Sequence, residues 1–524
     1  MTTAQVAPPE PAAQDDRLQR RLGFGGLTAI GFSNIFGSGW LFAALYAAQT
    51  AGPAALISWV LAGLLCALIA LVMVDLGARR PAGGGTVRWP QQSNGQLVAS
   101  VIGVSVLLTV GGTAAEITAI LGYADHFLPW LQHGSKLSAA GVAVAVGLAL
   151  VLSALNWFGV KLFAELNNAI TVVKIVVPVL TIILLFASAF HPSHVVDHGF
   201  APYGYGAVLS ALAAGGIVYS VNGFQAAADF SGEARNAKRD VPRAILASIG
   251  IAVAGYLLLQ LAFLFAVPDS MLAHGWAHVS FDSPFGQLAL ILNLHWLSVL
   301  LYSDAVVSPG GSAYVGVAID TRHTYALGAN GVLPRFFLAV EQRSGIPRRA
   351  LALNLLVILV FLLPFSGWQQ IVSVVGDLYL LTYAAVAISA AVLAPPGDNR
   401  PLRRLPPMRV LAPVSFVAAT EFIFWSGWHD LRIALSLTLI GLPLYVVTWR
   451  GIGRARLAAE LRKGAWIVAY LAVLLLVSFL GSFGNGRDVI GAPWDTVVVA
   501  LLGAATYAAG LAAGRRHLRE RETA

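Results

Sequence analysis

The sequence predicts an all-α integral membrane protein with about fourteen transmembrane helices. Three observations lead there. The 524-residue chain is 57% hydrophobic and only 11% charged, with a mean hydropathy of +0.75, whereas a soluble domain carries about 25% charged residues. Its apolar residues gather into runs close to the length of about 17–25 residues that a bilayer requires. Its Lys and Arg residues fall in alternate connections between those runs, as the positive-inside rule demands.

Taken in order, residues 1–21 are polar and rich in Ala and Pro, and they end in Asp15, Asp16, Arg17, Arg20 and Arg21. The apolar run that follows is too long for a signal-peptide core, and no small-residue cleavage pattern ends it. Residues 1–21 are expected to be a short cytoplasmic tail. Spans are then expected near 24–48, 54–78, 97–121, 138–157, 163–190, 207–229 and 243–267. Further spans are expected near 285–320, 350–366, 371–394, 410–427, 432–449, 465–482 and 495–514, that near 350–366 being the shortest. Residues 515–524 form a second cytoplasmic tail. With the N-terminus in the cytoplasm, 29 of the 33 Lys and Arg residues fall in cytoplasmic tails and loops; the exceptions are Lys136, Arg432, Arg487 and the intramembrane Lys174. The net charge of +8 therefore reads as a topology signal with anionic lipid as its partner, and not as a nucleic-acid footprint. The single cysteine, Cys66, lies in an apolar run, which excludes an intramolecular disulfide framework and a cysteine metal cluster.

Two spans are interrupted. The first carries Gly37-Ser38-Gly39-Trp40 in its middle, where each glycine costs about 1 kcal/mol against alanine in a helix. In hydrocarbon, any backbone group freed there needs another partner. Close helix packing is the competing explanation, because small residues also let helices approach. The sixth span carries Ser220-Val221-Asn222-Gly223, the corresponding position if spans 1–5 and 6–10 are two repeats. Five is odd, so the second repeat enters from the opposite side and the repeats, about 22–190 and 207–394, are inverted. Paired interruptions in inverted repeats point to a transporter site at the bilayer midplane. Residues 22–394 then form the core, and 395–514 add four helices.

Four stretches have a familiar look: Ile35-Phe36-Gly37-Ser38-Gly39-Trp40; Arg80-Pro81-Ala82-Gly83-Gly84-Gly85 with Trp89-Pro90; Gly223-Phe224 through Gly232-Glu233-Ala234-Arg235-Asn236 to Pro242-Arg243-Ala244-Ile245; and Asp320-Thr321-Arg322 with Tyr325-Ala326 and Gly331-Val332-Leu333-Pro334. In these the chain resembles the amino acid–polyamine–organocation permeases, which have the LeuT-type fold of inverted five-helix repeats with helices 1 and 6 broken. The likeness covers about residues 20–394; the last four spans match the fourteen-span members only in number. The chain departs from the family pattern twice. Where the loop after span 6 usually reads Lys-Asn-Pro it has Arg235-Asn236-Ala237, and a position often held by Glu is Gln225.

At the first break, the second half-helix would begin near Gly39 and present free N–H groups at the positive end of its dipole, a natural carboxylate site. The resemblance implies that Ser38, Gly39 and neighbouring amides, including the Gly37 and Trp40 region, bind a substrate α-carboxylate. It also implies that carbonyls of Ile35, Tyr219 and Asn222, freed around Gly223, take the α-ammonium. Tyr219 stands where the family often has an aromatic that closes over substrate; packing among helices is the alternative. Lys174 sits in the apolar run from Ala169 to Pro178, where an ammonium is costly and should face the bundle interior. In proton-coupled relatives a lysine at this place in span 5 stands where sodium-coupled relatives hold sodium, so Lys174 is the expected proton-coupling residue; a fixed structural charge is the alternative. Glu116, Asp229 and Asp304 are candidate pocket or relay acids, with Asp304 able to pair with Lys174. Asp377 is a fourth intramembrane acid. His191, His194 and His198 cluster in one loop, but no defined element supports metal binding, and neither a metal nor a cofactor is expected.

The expected function is secondary transport of an amino acid across the cytoplasmic membrane by alternating access, as amino acid:proton symport. Exchange of an amino acid for an amine or another amino acid is the nearest alternative. A non-transporting sensor and a membrane-embedded enzyme using Asp304 and His295 are others. No catalytic elbow, phosphate-binding loop or zinc motif is present in the sequence, and no obligate protein partner is evident. A broad or acidic substrate preference ranks ahead of a cationic or neutral one.

Overall fold

In a computed structural model, residues 22–80, 85–134, 136–157, 160–230, 234–341, 346–363, 367–394, 407–448 and 454–523 are described. The 1–21 tail, Pro81 to Gly84, Gly232-Glu233, Arg343 and Arg400 to Arg404 lie outside the described residues, as do the side chains of Lys161, Asp229 and Lys238. The chain is almost wholly helical. The first span is two helices, α1 (Phe24–Ile35) and α2 (Gly39–Ala51). They are followed by α3 (Ala55–Arg79), the short α4 (Gly85–Asn94), α5 (Gln96–Leu108), α6 (Gly111–Asp125), α7 (Ala139–Trp157) and α8 (Val160–Ser188). The sixth expected span is three pieces, α9 (Tyr205–Ala214), α10 (Ile217–Val221) and α11 (Ala226–Asp229). Then come α12 (Ala237–Ala266), α13 (His295–Ala329), α14 (Arg348–Leu362), α15 (Trp368–Val392), α16 (Met408–Trp425), α17 (Trp428–Leu439), α18 (Gly441–Thr448), α19 (Arg454–Leu480) and α20 (Trp494–Thr523).

Among the described residues, ten helices are long and apolar enough to cross a membrane, or eleven if the pair α9 and Ile217–Ala228, bent by 57°, counts as one span. The expected fourteen is not reached by that measure, for four local reasons. α1 is cut to 12 residues by the first break. Residues Gly39–Gly77 count as one unit, although the 3-10 turn Gly52–Ala54 divides them. α14 has only 15 residues, and α13 carries Asp304, Asp320 and Arg322.

The helices pack into two groups around the breaks. α12 lies against α1 and α3, and α10 lies against α3, while α13 lies against α6, α7 and α14; α8 packs on both groups, and α1 meets α13 between them. α15 runs between them, touches α3, α6 and α9, and is backed by α16. It is buried along nearly its whole length, and its few polar side chains, among them Gln369, Ser373 and Asp377, are hydrogen-bonded to neighbouring elements. At the first break's far end, Arg235 N donates to Leu22 O at 2.8 Å and Leu22 bridges Ala234. The start of span 1 is thereby tied to the connection after span 6.

Candidate functional site

The two predicted breaks exist and abut. In the first, the helix stops at Phe36 (φ −88°, ψ 80°) and restarts at Gly39. In the second, Asn222 is extended and Gly223 takes φ +107°, a conformation that L side chains avoid. The side-chain amide of Asn34 donates to Gly223 O at 3.0 Å. A Cβ on Gly39 would overlap Ser220 Oγ, and one on Gly37 would lie 2.6 Å from Glu116 Oε1. Glycine is required at position 39, where Cβ and Cα of Ser220 also stand in the way; at position 37 a methyl group would push the Glu116 carboxylate and the Ser312 hydroxyl out of place. A further bend at Gly215-Gly216, with Gly216 at φ +71°, was not expected; the Gly-Gly pair itself was the available signal.

A carboxylate already occupies the turn of the first break. Ser38 N donates to Glu116 Oε2 at 2.7 Å, and Tyr219 OH donates to Glu116 Oε1 at 2.9 Å and to Gly112 O at 3.2 Å. Glu116, on α6, is 5% exposed, so an anion here depends on those donors and on the positive end of α2. On the other side of the turn, Lys174 is fully buried. Its ammonium donates to Ser33 O at 2.5 Å and to Ser312 Oγ at 2.7 Å. Ser33 O is a carbonyl freed by the end of α1, so the lysine closes one of the open backbone groups. Lys174 is within electrostatic reach of Glu116 and Asp304. Asp304 itself is engaged by Ser308 Oγ at 2.9 and 2.8 Å.

Between the breaks lies a cavity of about 50 Å³, lined by Ile35, Glu116, Tyr219, Asn222, Gly223, Ser312, Asp320 and Tyr379 among others. That is room for a few water molecules and too little for a whole amino acid. Asn222 is 4% exposed, and neither side-chain amide atom has a hydrogen-bond partner. Buried amides are ordinarily satisfied, and this one lines the cavity. The carbonyl of Ile35 already accepts from Gly37 N at 3.1 Å and Tyr256 OH at 3.2 Å, and Tyr219 O accepts from Asn222 N at 3.0 Å. Trp40 does not reach the cavity. It is 1% exposed and stacks on Phe36 and Phe285, at 6.2 and 5.7 Å. Gln225, in place of the family's frequent Glu, accepts from Gly223 N at 3.2 Å and Tyr383 OH at 2.8 Å and so holds the second break. Asp377 accepts from Ser426 Oγ at 2.8 Å, away from the cavity.

Trp368, at the start of α15, was missed. Its indole N–H donates to Ser38 Oγ at 2.7 Å. Beyond it opens a second cavity of about 620 Å³ lined by Phe42, Tyr46, Gln49, Gln132, Asp282 and Asp430 among others. In the loop cluster, His194 Nε2 lies 2.7 Å from Asp269 Oδ1.

The family model of the amino acid permeases matches residues 22–499. A glutamate/serine transporter of Bacillus subtilis, AimA, is 36% identical over 518 residues, covering 95% of each chain. An aspartate-proton symporter of the same species is 32% identical over 504 residues, covering 94% of this chain and 96% of its own. Human cationic amino acid transporter 4 is 29% identical over 429 residues, covering 77% of this chain and 65% of its own. Family and relatives alike are transporters and not enzymes. With that match over most of its length, two broken helices at the predicted places and a bundle of membrane-length helices, this chain belongs to the amino acid permease family of the amino acid–polyamine–organocation superfamily.

Proposed function

We propose that the protein carries an acidic amino acid, glutamate or aspartate, across the cell membrane together with a proton, by alternating access. The observation that carries this reading is the seat of Glu116. A carboxylate of the chain itself rests on the Ser38 amide at the head of α2, so the turn accepts a carboxylate, and the substrate's α-carboxylate takes that place when Glu116 leaves it. Gly37, Ser38 and Gly39 then hold the α-carboxylate. The unpartnered Asn222 amide and the carbonyls of Ile35 and Tyr219 beside Gly223 face the rest of the amino acid. Tyr219, released from Glu116, closes over it. Trp40 acts from behind, through the aromatic stack on Phe36.

Lys174 and Glu116 flank one turn with opposite charges, which supports proton coupling there: a proton that neutralises Glu116 weakens its hold on Ser38 N–H, and Lys174 senses the change through Ser33 O and Ser312. Asp304 biases Lys174 electrostatically. Asp229 serves as a relay toward the other side of the break. The acidic preference rests on glutamate and aspartate, each named for one of the two Bacillus relatives, the first of which is named for serine as well. The packing of α10 and α12 on α1 and α3, and of α13 on α6, α7 and α14, with α1 meeting α13 beside the breaks, supports rocking of one group on the other. Fourteen spans, two inverted repeats over 22–394, four added helices over 395–514 and cytoplasmic termini complete the reading, with anionic lipid along the basic loops.

Proteoliposomes test it. With an empty lumen and an inwardly directed proton gradient, labelled glutamate or aspartate should accumulate, and Lys174→Ala should abolish accumulation. Uptake only against internal amino acid would make the protein an exchanger.

A further inference from the structure

Two aromatic side chains, Trp368 and Tyr219, meet edge-on between the two cavities. Trp368 lines the cavity of about 620 Å³, while Tyr219 and Glu116 line the cavity of about 50 Å³ behind it. The indole is 5% exposed. It stacks on Phe42 at 5.2 Å and Tyr46 at 5.7 Å, meets Tyr219 edge-on at 6.3 Å, and donates to Ser38 Oγ at 2.7 Å. It therefore touches both breaks at once. It also fills the bend: a Cβ on Gly216 would lie 2.7 Å from the indole ring. The larger cavity falls in the size range of small-molecule sites. The residues that line it at Gln132 and Asp282, and at Gln369 and Asp430 in the first turns of α15 and α17, all lie at span ends that the charge count assigns to the outer side.

We infer that Trp368 is the lid of the site: substrate passes from the 620 Å³ vestibule to the breaks only when the indole leaves Ser38, and it is sealed in when the indole returns. The inference rests on the breaks being the substrate site. The backbone of α15 is poorly placed to move. Gln369 Nε2 donates to Ala214 O at 2.7 Å, Ser373 Oγ to Ala213 O at 3.2 Å, and Ser426 anchors Asp377 one helical turn further on. The indole, by contrast, stands at the helix's first residue, after Gly367 at φ +107°, and has the open vestibule to swing into. Ser38 is shared by lid and site. Its hydroxyl holds the lid while its amide holds a carboxylate, so closing the lid and filling the site report on the same residue.

Accessibility of a thiol behind the lid tests this without substrate. In a Cys66→Ala background, Thr113→Cys places a thiol in the inner cavity, and Ser280→Cys places one in the vestibule. A membrane-impermeant methanethiosulfonate reagent is applied to intact cells and to inverted vesicles. From the vestibule side, Trp368→Phe, which keeps the ring and loses the N–H, should speed labelling at position 113 by about fivefold, the worth of one neutral hydrogen bond. Trp368→Ala should speed it by more than about tenfold, because the ring itself is gone. Ser38→Ala should match Trp368→Phe, and the double variant should add nothing, because both remove one bond. Labelling at position 280 should stay constant, which also shows that the variants are folded. Equal rates at position 113 with and without the indole would overturn the lid. If the rates rise as stated but glutamate does not protect position 113, the lid stands and the assignment of the breaks as the substrate site falls.

Discussion

Gly39→Ala is the sharpest structural test of how the two broken helices meet. A methyl group at this position would overlap Ser220 Oγ and stand 2.6 Å from its Cβ and 3.0 Å from its Cα. The hydroxyl could turn away, but it donates to Gly216 O at 2.7 Å, and losing that bond costs about 1 kcal/mol. The clash with the backbone of Ser220 cannot be relieved by rotation, so α10 must shift, and overpacking of this kind costs about 1–3 kcal/mol. Against this, alanine is favoured over glycine inside a helix by about 0.5–1 kcal/mol. The steric term wins, leaving a net loss of about 1–3 kcal/mol, or about 5- to 150-fold in the population of the juxtaposed state. Uptake of glutamate at subsaturating concentration should fall at least about fivefold, with a lowered melting temperature. Gly147→Ala is the control. That glycine lies in α7 with nothing within 4 Å of a built Cβ, so the variant should transport normally and melt no lower. If Gly39→Ala transports and melts like the parent, the breaks do not abut as described.

Other outcomes follow from the same geometry. Asn222→Ala removes no internal hydrogen bond from the side chain, so it should leave the melting temperature unchanged while raising KM by about 10- to 100-fold, the worth of a bond to a charged ligand. Glu116→Gln keeps an acceptor for Ser38 N–H but loses the charge; uptake, which should rise as external pH falls in the parent, should lose most of that dependence in a pH series. Gly223→Ala must hold φ +107° with its Cβ 2.8 Å from Asn34 O, and a loss of more than about 1 kcal/mol should appear as a drop in melting temperature.

Both breaks were legible in the sequence because helix-weakening residues stood in the middle of apolar runs at corresponding places of two repeats, a pairing that close packing alone does not explain. Lys174 was legible for the same kind of reason: an ammonium among Val and Ile has to face inward. The direction of Glu116 was not, because α6 is buried on all sides and gives no polar stripe from which to read a face. Trp368 was invisible for a different reason. A tryptophan at the start of a span reads as an interfacial anchor, and its partner, Ser38, lies 330 residues away. Trp40 shows the converse: adjacency to the break in sequence suggested the site, but one step along a helix turns a side chain about 100° away, and the indole joined the aromatic core. The span count suffered where one apolar run became two helices, or where acids within α13 lowered its hydropathy.

The central claim is that the Ser38 turn receives an α-carboxylate. It is tested most directly by the melting temperature of the purified protein with L-glutamate or with 4-aminobutyrate, the same molecule without its α-carboxylate. Ligand bound to the folded state at about 100 times its Kd stabilises by about 2.7 kcal/mol, which glutamate should display as a concentration-dependent rise. 4-Aminobutyrate should give no rise. Equal stabilisation by the two compounds would contradict the account.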